Sequence, residues 1–372
     1  MTKNLLFAGI DVDENSFNVA LISKKTGEFF HFQCKPNSGA LIKKLDSFKS
    51  KGFLLKICYE STYLGFSLCR EIRKHDYDCE VIASSLIPEV PGKKVKTDKV
   101  DCRNLATYYM QGLLTVISMP DKDDEAERDL LRSRSFLVGQ MKALKTHISS
   151  ACKRMNIDWK NSTGKTDLWT KSHRIWLDKA ISELGNDELL KVNLSCLVSS
   201  LNQLETTIDY YNHKIEELSR KEKYLEKVKS LTAFRGIQTL TAMTVVAEIG
   251  NINRFPSPRQ LVSYLGLDII EYSSGGREKK FGITKMGNRH ARTALVEANQ
   301  MSRRPSNVSR YLSERRSGVE PKQIAVADRC MKRLSKKAYQ MNMKGKSANV
   351  IKTACAREMV GFIWESLKNV AA

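Results

Sequence analysis

Five short apolar runs within residues 5–83 limit this chain more than any other feature, because of their order. LLFAGID (5–11), FNVALIS (17–23) and EFFHFQ (28–33) follow one another with only the turn residues Asp13–Ser16 and Lys24–Gly27 between them, so they read as three meandering strands. A helical stretch follows over Ser38–Lys51. FLLKICYE (53–60) is a strand whose nearly continuous apolar content predicts burial on both faces. LGFSLCREIRKH (64–75) has helical spacing, DCEVIA (78–83) is a fifth strand, and KVDCRNLATYYMQGLL from Lys99 is helical again. The order β-β-β-α-β-α-β-α implies a mixed sheet covered by helices, in an α/β domain.

The remainder differs. Leu194, Leu197, Leu201, Leu204, Ile208, Tyr211, Ile215 and Leu218 recur in steps of three and four, are interrupted at Glu222, and resume at Leu225. That seam predicts a coiled coil or long helical hairpin, packed within one chain or between two. An upstream helix over Glu125–Met155, with Leu130, Leu137, Met141, Leu144 and Ile148 on one face, is its candidate partner. The polar stretch DWKNSTGKTDLW between them reads as a loop. From Lys229, LTAFRGIQTLTAMTVVAEIG reads as two apolar helices around a Gly-Ile turn. It is either a helix-hairpin-helix whose backbone N–H groups hold a phosphate or an ordinary turn with Gly236 as helix cap.

At 372 residues, 41% of them hydrophobic and 28% charged, the chain is globular and long enough for two or three cores. It has no run of about 18 apolar residues and no leader-like start, so neither a membrane span nor a secretory signal is expected. Nine cysteines, an odd number with no C-x-x-C pair, argue against a disulfide framework or zinc site and for a reducing, cytoplasmic setting. The net charge is +21, and from Glu271 to Ala372 there are 22 Lys/Arg against 8 Asp/Glu. Such a localised excess predicts a polyanionic partner, most simply nucleic acid.

Carboxylates stand at telling positions. Asp11 ends the first strand, Glu60 ends the fourth, and Asp98 and Asp101 open the following helix three residues apart. Strands one and four are expected to be neighbours, so these groups could converge, and a convergent set repels itself unless a cation neutralises it. Mg²⁺ is the natural ion for an all-oxygen set working on phosphates, and two such ions could serve phosphodiester chemistry. Asp13 and Glu14, which begin a turn, read as solvated. In IIEYSSGG (269–276), Ser273 and Ser274 precede two glycines, which predicts a tight turn holding a hydroxyl near the surface. No G-x-S-x-G elbow and no adjacent histidine are present, His290 being the lone histidine of this region. Arg277, Lys279, Lys280, Lys285, Arg289 and Arg292 surround the turn instead and suit a phosphate electrophile.

Taken together, GIDVDENSFNVA, CYESTYLGFSLCREI and KVKTDKVDCRNLA resemble the N-terminal domain of IS110-family (IS110/IS1111) transposases. FRGIQTLTAMTVVAEIG, RFPSPRQLVSYLGL and YSSGGREKKFGITKMGNRHARTALVEA resemble their C-terminal domain. The resemblance spans roughly residues 5–115 and 229–300, and departs in lacking a proline after the GL of GLDIIEYSSGG. It implies an RNase-H-like (RuvC-like) DEDD domain over 1–120, a helical, coiled-coil region over 121–228, and a mainly helical transposase domain with a basic tail over 229–372. By motif, Asp11, Glu60, Asp98 and Asp101 would be the catalytic, metal-holding tetrad, with Mg²⁺ replaceable by Mn²⁺, and Ser274 the nucleophile. Asn288 joins the six basic residues as an expected nucleic-acid contact. Implied partners are donor and target DNA, an element-encoded guide RNA, and further copies of the chain in a dimer or tetramer. A plain metal-dependent nuclease or Holliday-junction resolvase, using the carboxylates without the serine, is the alternative. A non-catalytic nucleic-acid-binding scaffold is a further one.

Overall fold

In the computed structural model, residues 4–62, 64–88, 98–185, 188–274 and 277–371 are described, with the side chains of 98, 99, 273, 274, 277, 278 and 280 outside that description. The chain divides into two compact units, Met1–Asp121 and Lys122–Ala372.

The first unit holds β1 (Leu5–Val12), β2 (Phe17–Ser23), β3 (Phe29–Cys34), α1 (Ser38–Lys49), β4 (Leu54–Glu60), α2 (Ser67–Lys74), β5 (Asp78–Ile82) and α3 (Asp98–Met110). Its sheet runs β3-β2-β1-β4-β5, antiparallel across the first three strands and parallel across β1-β4-β5. This is the mixed sheet the element order implied, with β1 and β4 adjacent. β1 is buried nearly throughout because both sheet faces are covered there, whereas β4, expected to be buried on both faces, exposes Leu54 and Lys56 at its start and is buried on both faces only over Ile57–Tyr59. On one face Leu6, Ala8 and Ile10 of β1 and Leu55, Ile57 and Tyr59 of β4 pack with Leu41, Leu45, Leu68 and Ile72 of α1 and α2. On the other, Phe7 packs with Cys102 and Ala106, and Cys58 with Leu105, all from α3.

Gly9 sits at the tightest point of that second face. A Cβ there would lie 2.5 Å from the Ala106 backbone N and 2.6 Å from the Cys102 carbonyl O, atoms that cannot swing aside. Gly9→Ala is therefore expected to lift α3 off the sheet and destabilise the unit by about 1–3 kcal/mol, read as a lowered thermal midpoint. An unchanged midpoint would mean that α3 is not clamped there.

The second unit contains α4 (Lys122–Arg154), α5 (Trp159–Thr163), α6 (Lys171–Ser182), α7 (Glu188–Ser219), α8 (Glu222–Thr232), α9 (Thr239–Ile249), α10 (Pro258–Tyr264), β6 (Ile269–Ser274), β7 (Arg277–Ile283), α11 (Arg289–Ala298), α12 (Arg310–Arg315), α13 (Pro321–Met343) and α14 (Ala348–Ala371). Leu194, Leu201, Ile208 and Ile215 are buried along α7 at strict heptad spacing, so the seam is real and α4 is its partner within the chain. Leu131 clusters with Ile215 and Leu218, Lys145 pairs with Glu205, and Ile148 clusters with Leu194 and Leu201, so the two helices run antiparallel. Two expectations are corrected. The seam does not resume at Leu225, which is 44% exposed, because the helix breaks at Arg220–Lys221 and restarts as α8. The stretch read as a loop contains α5, whose first turn is capped by Asp158 accepting from Asn161 N.

The α8–α9 turn is the helical hairpin read from sequence. Gly236, at φ +89°, fits only glycine: a Cβ would lie 2.0 Å from the Ala298 carbonyl O. All nine cysteines are free thiols. No helix among the described residues is long and apolar enough to cross a membrane.

Candidate functional site: an acidic strand-end face and a basic hairpin

Register places the first two carboxylates together. Gly9 pairs with Cys58 and Ile10 with Tyr59 across the parallel β1-β4 ladder, so Asp11 and Glu60 are the next residues of each strand, at the carboxyl end. Strand pleating gives Asp11 the side of Gly9, and Glu60 the side of Cys58, which is the face that α3 covers. The buried thiols on that face feel the same carboxylates. Burial, followed by the Asp11 carboxylate, pushes the Cys102 thiol up to about 11, and Asp101 adds to the effect. Burial, then the charges of Glu80 and Glu60, raises the Cys58 thiol as well. Asp11 and Glu60 thus lie at neighbouring strand ends, on the face covered by α3, the helix that carries Asp101. Asp98 is the first residue of α3, but its side chain lies outside the described residues.

The donor set is all oxygen, which fits a hard divalent cation and not a soft one. Among the described residues, no group of three or more His, Cys, Asp or Glu is drawn tightly enough to hold a metal. Asp11, Glu60 and Asp101 therefore supply a carboxylate face, not a closed cage. Asp13 is exposed and engaged locally, accepting from Asn15 N at 2.9 Å, as a turn residue should.

The serine segment is a hairpin rather than an isolated turn. β6 pairs with β7 from Ile269↔Ile283 to Ser274↔Arg277, so Ser273 and Ser274 are the last two residues of a strand. Gly275 and Gly276, and the side chains of both serines, Arg277 and Lys280, lie outside the described residues. Lys279, Lys285 and Arg289 are exposed. An exposed aromatic pair accompanies them, Tyr272 (70%) and Phe281 (56%), edge to face at 5.7 Å.

Two residues expected to contact nucleic acid also have structural work. Asn288 caps α11 by accepting from Ala291 N and donates to Glu248 at 2.7 Å, and Arg292 donates to the Leu265 carbonyl at 2.8 Å. Glu248 itself was missed. It is fully buried, receives Arg132 through two hydrogen bonds of 2.8 Å, and is a lone charge in the apolar helix TLTAMTVVAEI. Burial opposes its ionisation, but Arg132 and Asn288 outweigh burial and hold the carboxyl below the usual glutamate range.

Comparison with known proteins settles the family. The family described as Transposase IS116/IS110/IS902 matches residues 228–313, and the DEDD transposase family of IS110 elements, described as Transposase, matches residues 8–157. The chain is 32% identical to the y4qE protein of Sinorhizobium fredii over 360 residues, covering 96% of this chain and 87% of that one. The chain belongs to the IS116/IS110/IS902 family of transposases. It is also 27% identical to the transposase for insertion sequence element IS1533 of Leptospira borgpetersenii, over 92% of this chain and 99% of that one. The transposase for insertion sequence element IS1111A of Coxiella burnetii is 26% identical over 55% of this chain and 54% of its own length. This transposase is therefore a DNA strand-cleavage and strand-transfer enzyme. A divalent metal is the usual cofactor of DEDD transposases. The four candidate carboxylates fall within the first matched segment and Ser274 within the second.

Proposed function

We propose that this transposase cuts and rejoins DNA through Asp11, Glu60, Asp98 and Asp101 acting as a metal-holding tetrad, and through Ser274 acting as the nucleophile. The observation that carries the reading is the placement of Asp11 and Glu60 at the carboxyl ends of adjacent parallel strands, on the sheet face that α3 covers. A divalent ion, Mg²⁺ with Mn²⁺ able to substitute, would neutralise these carboxylates and polarise the scissile phosphate when bound. The Ser274 oxygen forms a bond to phosphorus as the bond to the deoxyribose oxygen breaks, and the serine proton ends on the leaving deoxyribose oxygen as a free hydroxyl. The resulting serine–DNA phosphoester conserves the energy of the broken bond, so attack by a DNA hydroxyl end rejoins the strand without an external source. Lys279, Lys285 and Arg289, with Arg277 and Lys280, hold phosphates beside the hairpin, while Asn288 and Arg292 fix the loop that presents them.

We read the first unit as RNase-H-like (RuvC-like) on its strand order. Residues 1–120, 121–228 and 229–372 then form the catalytic, helical and serine-bearing regions. With an element-encoded RNA pairing to donor and target, sequence choice rests on base pairing and the protein grips backbone and shape. A dimer or tetramer would bring the exchanging ends together.

The test is a trapped adduct. Incubated with Mg²⁺ and DNA carrying its element ends, then denatured, the protein is expected to leave a covalent protein–DNA band. Ser274→Ala should lose the band and Ser273→Ala should keep it. Free nicks without any adduct from the parent protein would establish the plain nuclease instead.

A further inference from the structure

Three of the four tryptophans of the chain, Trp159, Trp169 and Trp176, line one chamber of about 240 Å³ in the second unit, between the end of α4 and α5–α6. The volume is below the ~300–1,000 Å³ of pockets for drug-sized ligands, and it suits a single flat ring system. The rings surround His173 at centroid distances of 5.4 Å to Trp159, 5.4 Å to Trp169 and 5.8 Å to Trp176. His173 is buried, and its Nδ1 accepts from the Trp169 backbone N, which leaves the ring proton on Nε2.

Three observations exceed what packing requires. Trp169 is held at φ +66°, a left-handed conformation unfavourable for a bulky side chain and retained where it serves a purpose. The Trp159 Nε1–H is buried without an acceptor among the described residues. The rim is mainly cationic: Lys153, Lys160 and Lys165 are exposed lining residues, with Lys165 over the Trp159 ring at 5.9 Å, against one lining carboxylate, Asp158, which caps α5, whereas nearby Lys145 and Arg174 are paired with Glu205.

We infer that this chamber takes one unpaired nucleobase of a single-stranded nucleic acid. The base stacks on the indole walls and leaves its flanking phosphates to the lysine rim. Aromatic stacking is tolerant of base identity and the rim supplies the backbone attraction, which is how single strands are held without sequence readout. A flat ring flanked by anions is the occupant that the indole walls and the cations have in common. The inference rests on the transposase working on nucleic acid, but not on the acidic tetrad or Ser274. Asp11→Ala and Ser274→Ala proteins should therefore behave as the parent here, whatever becomes of the cleavage chemistry.

Intrinsic tryptophan fluorescence of the full chain reads the chamber directly. Titration with a single-stranded oligonucleotide of about ten residues, within the span of one binding groove, is expected to quench emission saturably. RNA and DNA of one sequence are compared, and tighter binding of RNA would assign the base to an RNA strand. An abasic version should bind more weakly without the quench. Trp169→Gly relieves the strained backbone but removes a ring packed on the α4–α7 core, so its fold is checked by a thermal melt; the folded variant should bind roughly 5- to 150-fold more weakly, while Trp169→Phe keeps most of the affinity. Replacing Lys160 and Lys165 by glutamine should flatten the salt dependence. Equal binding by the abasic strand, or parental affinity in Trp169→Gly, overturns the assignment. So does an emission change that follows protein concentration without nucleic acid, which would mean a second copy fills the chamber.

Discussion

Asp11→Asn is expected to reduce DNA strand cleavage on the order of 10²-fold or more, the scale on which single electrostatic groups of an active site act, while leaving the fold intact. Asp11 lies at a strand end beside the end of the Glu60 strand, on the face that α3 covers. Asparagine keeps the size of the side chain and an accepting oxygen, so the melting temperature checks that the fold is retained. The neighbour is the control. Asp13→Asn alters an exposed turn that bonds only locally to Asn15 and should cleave as the parent does. A gel assay of nicked DNA beside a thermal melt separates the outcomes. Parental cleavage by Asp11→Asn would remove the acidic face from the chemistry.

The largest stability effect should come from a residue outside that chemistry. Glu248→Ala leaves Arg132 facing a void and strips Asn288 of its acceptor. Removing one partner of a buried ion pair costs about 3–5 kcal/mol, and the lower end applies because the Arg132 side chain is 42% exposed and partly screened. In a unit of this size about 3 kcal/mol corresponds to a midpoint lowered by roughly 6–12 °C, measurable by calorimetry. Arg132→Met should cost more than Glu248→Gln, because the first strands a carboxylate and the second keeps a polar partner. The pH sign follows from the depressed Glu248 carboxyl. Its contribution is present above the unfolded glutamate value near 4.3 and disappears as pH falls through the lower, folded value. Parent and Glu248→Gln should therefore converge in stability under strong acid.

Much of the architecture was legible because the signals are local. Strand patterns in the first 83 residues gave five strands whose bounds moved by a residue or so. Burial of β1 on both faces explains why it does not alternate, while β4 alternates at its exposed start, Leu54 to Ile57. The heptad seam of α7 declared itself through Leu194, Leu201, Ile208 and Ile215, but only the contacts of α4 showed that one chain closes it. Leu225 misled because periodicity cannot see a helix break, and the α5 turn was hidden because Asp158 caps a segment too polar to look helical.

Site residues divide the same way. Asp11, Glu60 and Asp101 could be nominated from their places at element ends, since sheet order and pleat follow from sequence pattern. By itself the sequence determined the mixed sheet, the helical seam, the basic partner surface and the short list of carboxylates, all of which depend on spacing and composition. Only the tertiary structure decided that Asn288 and Arg292 brace a loop, that Glu248 anchors a buried ion pair, and that three tryptophans enclose one chamber. Those outcomes turn on contacts between residues up to 116 positions apart, where burial and partner choice are set by packing and leave no periodic trace in the chain.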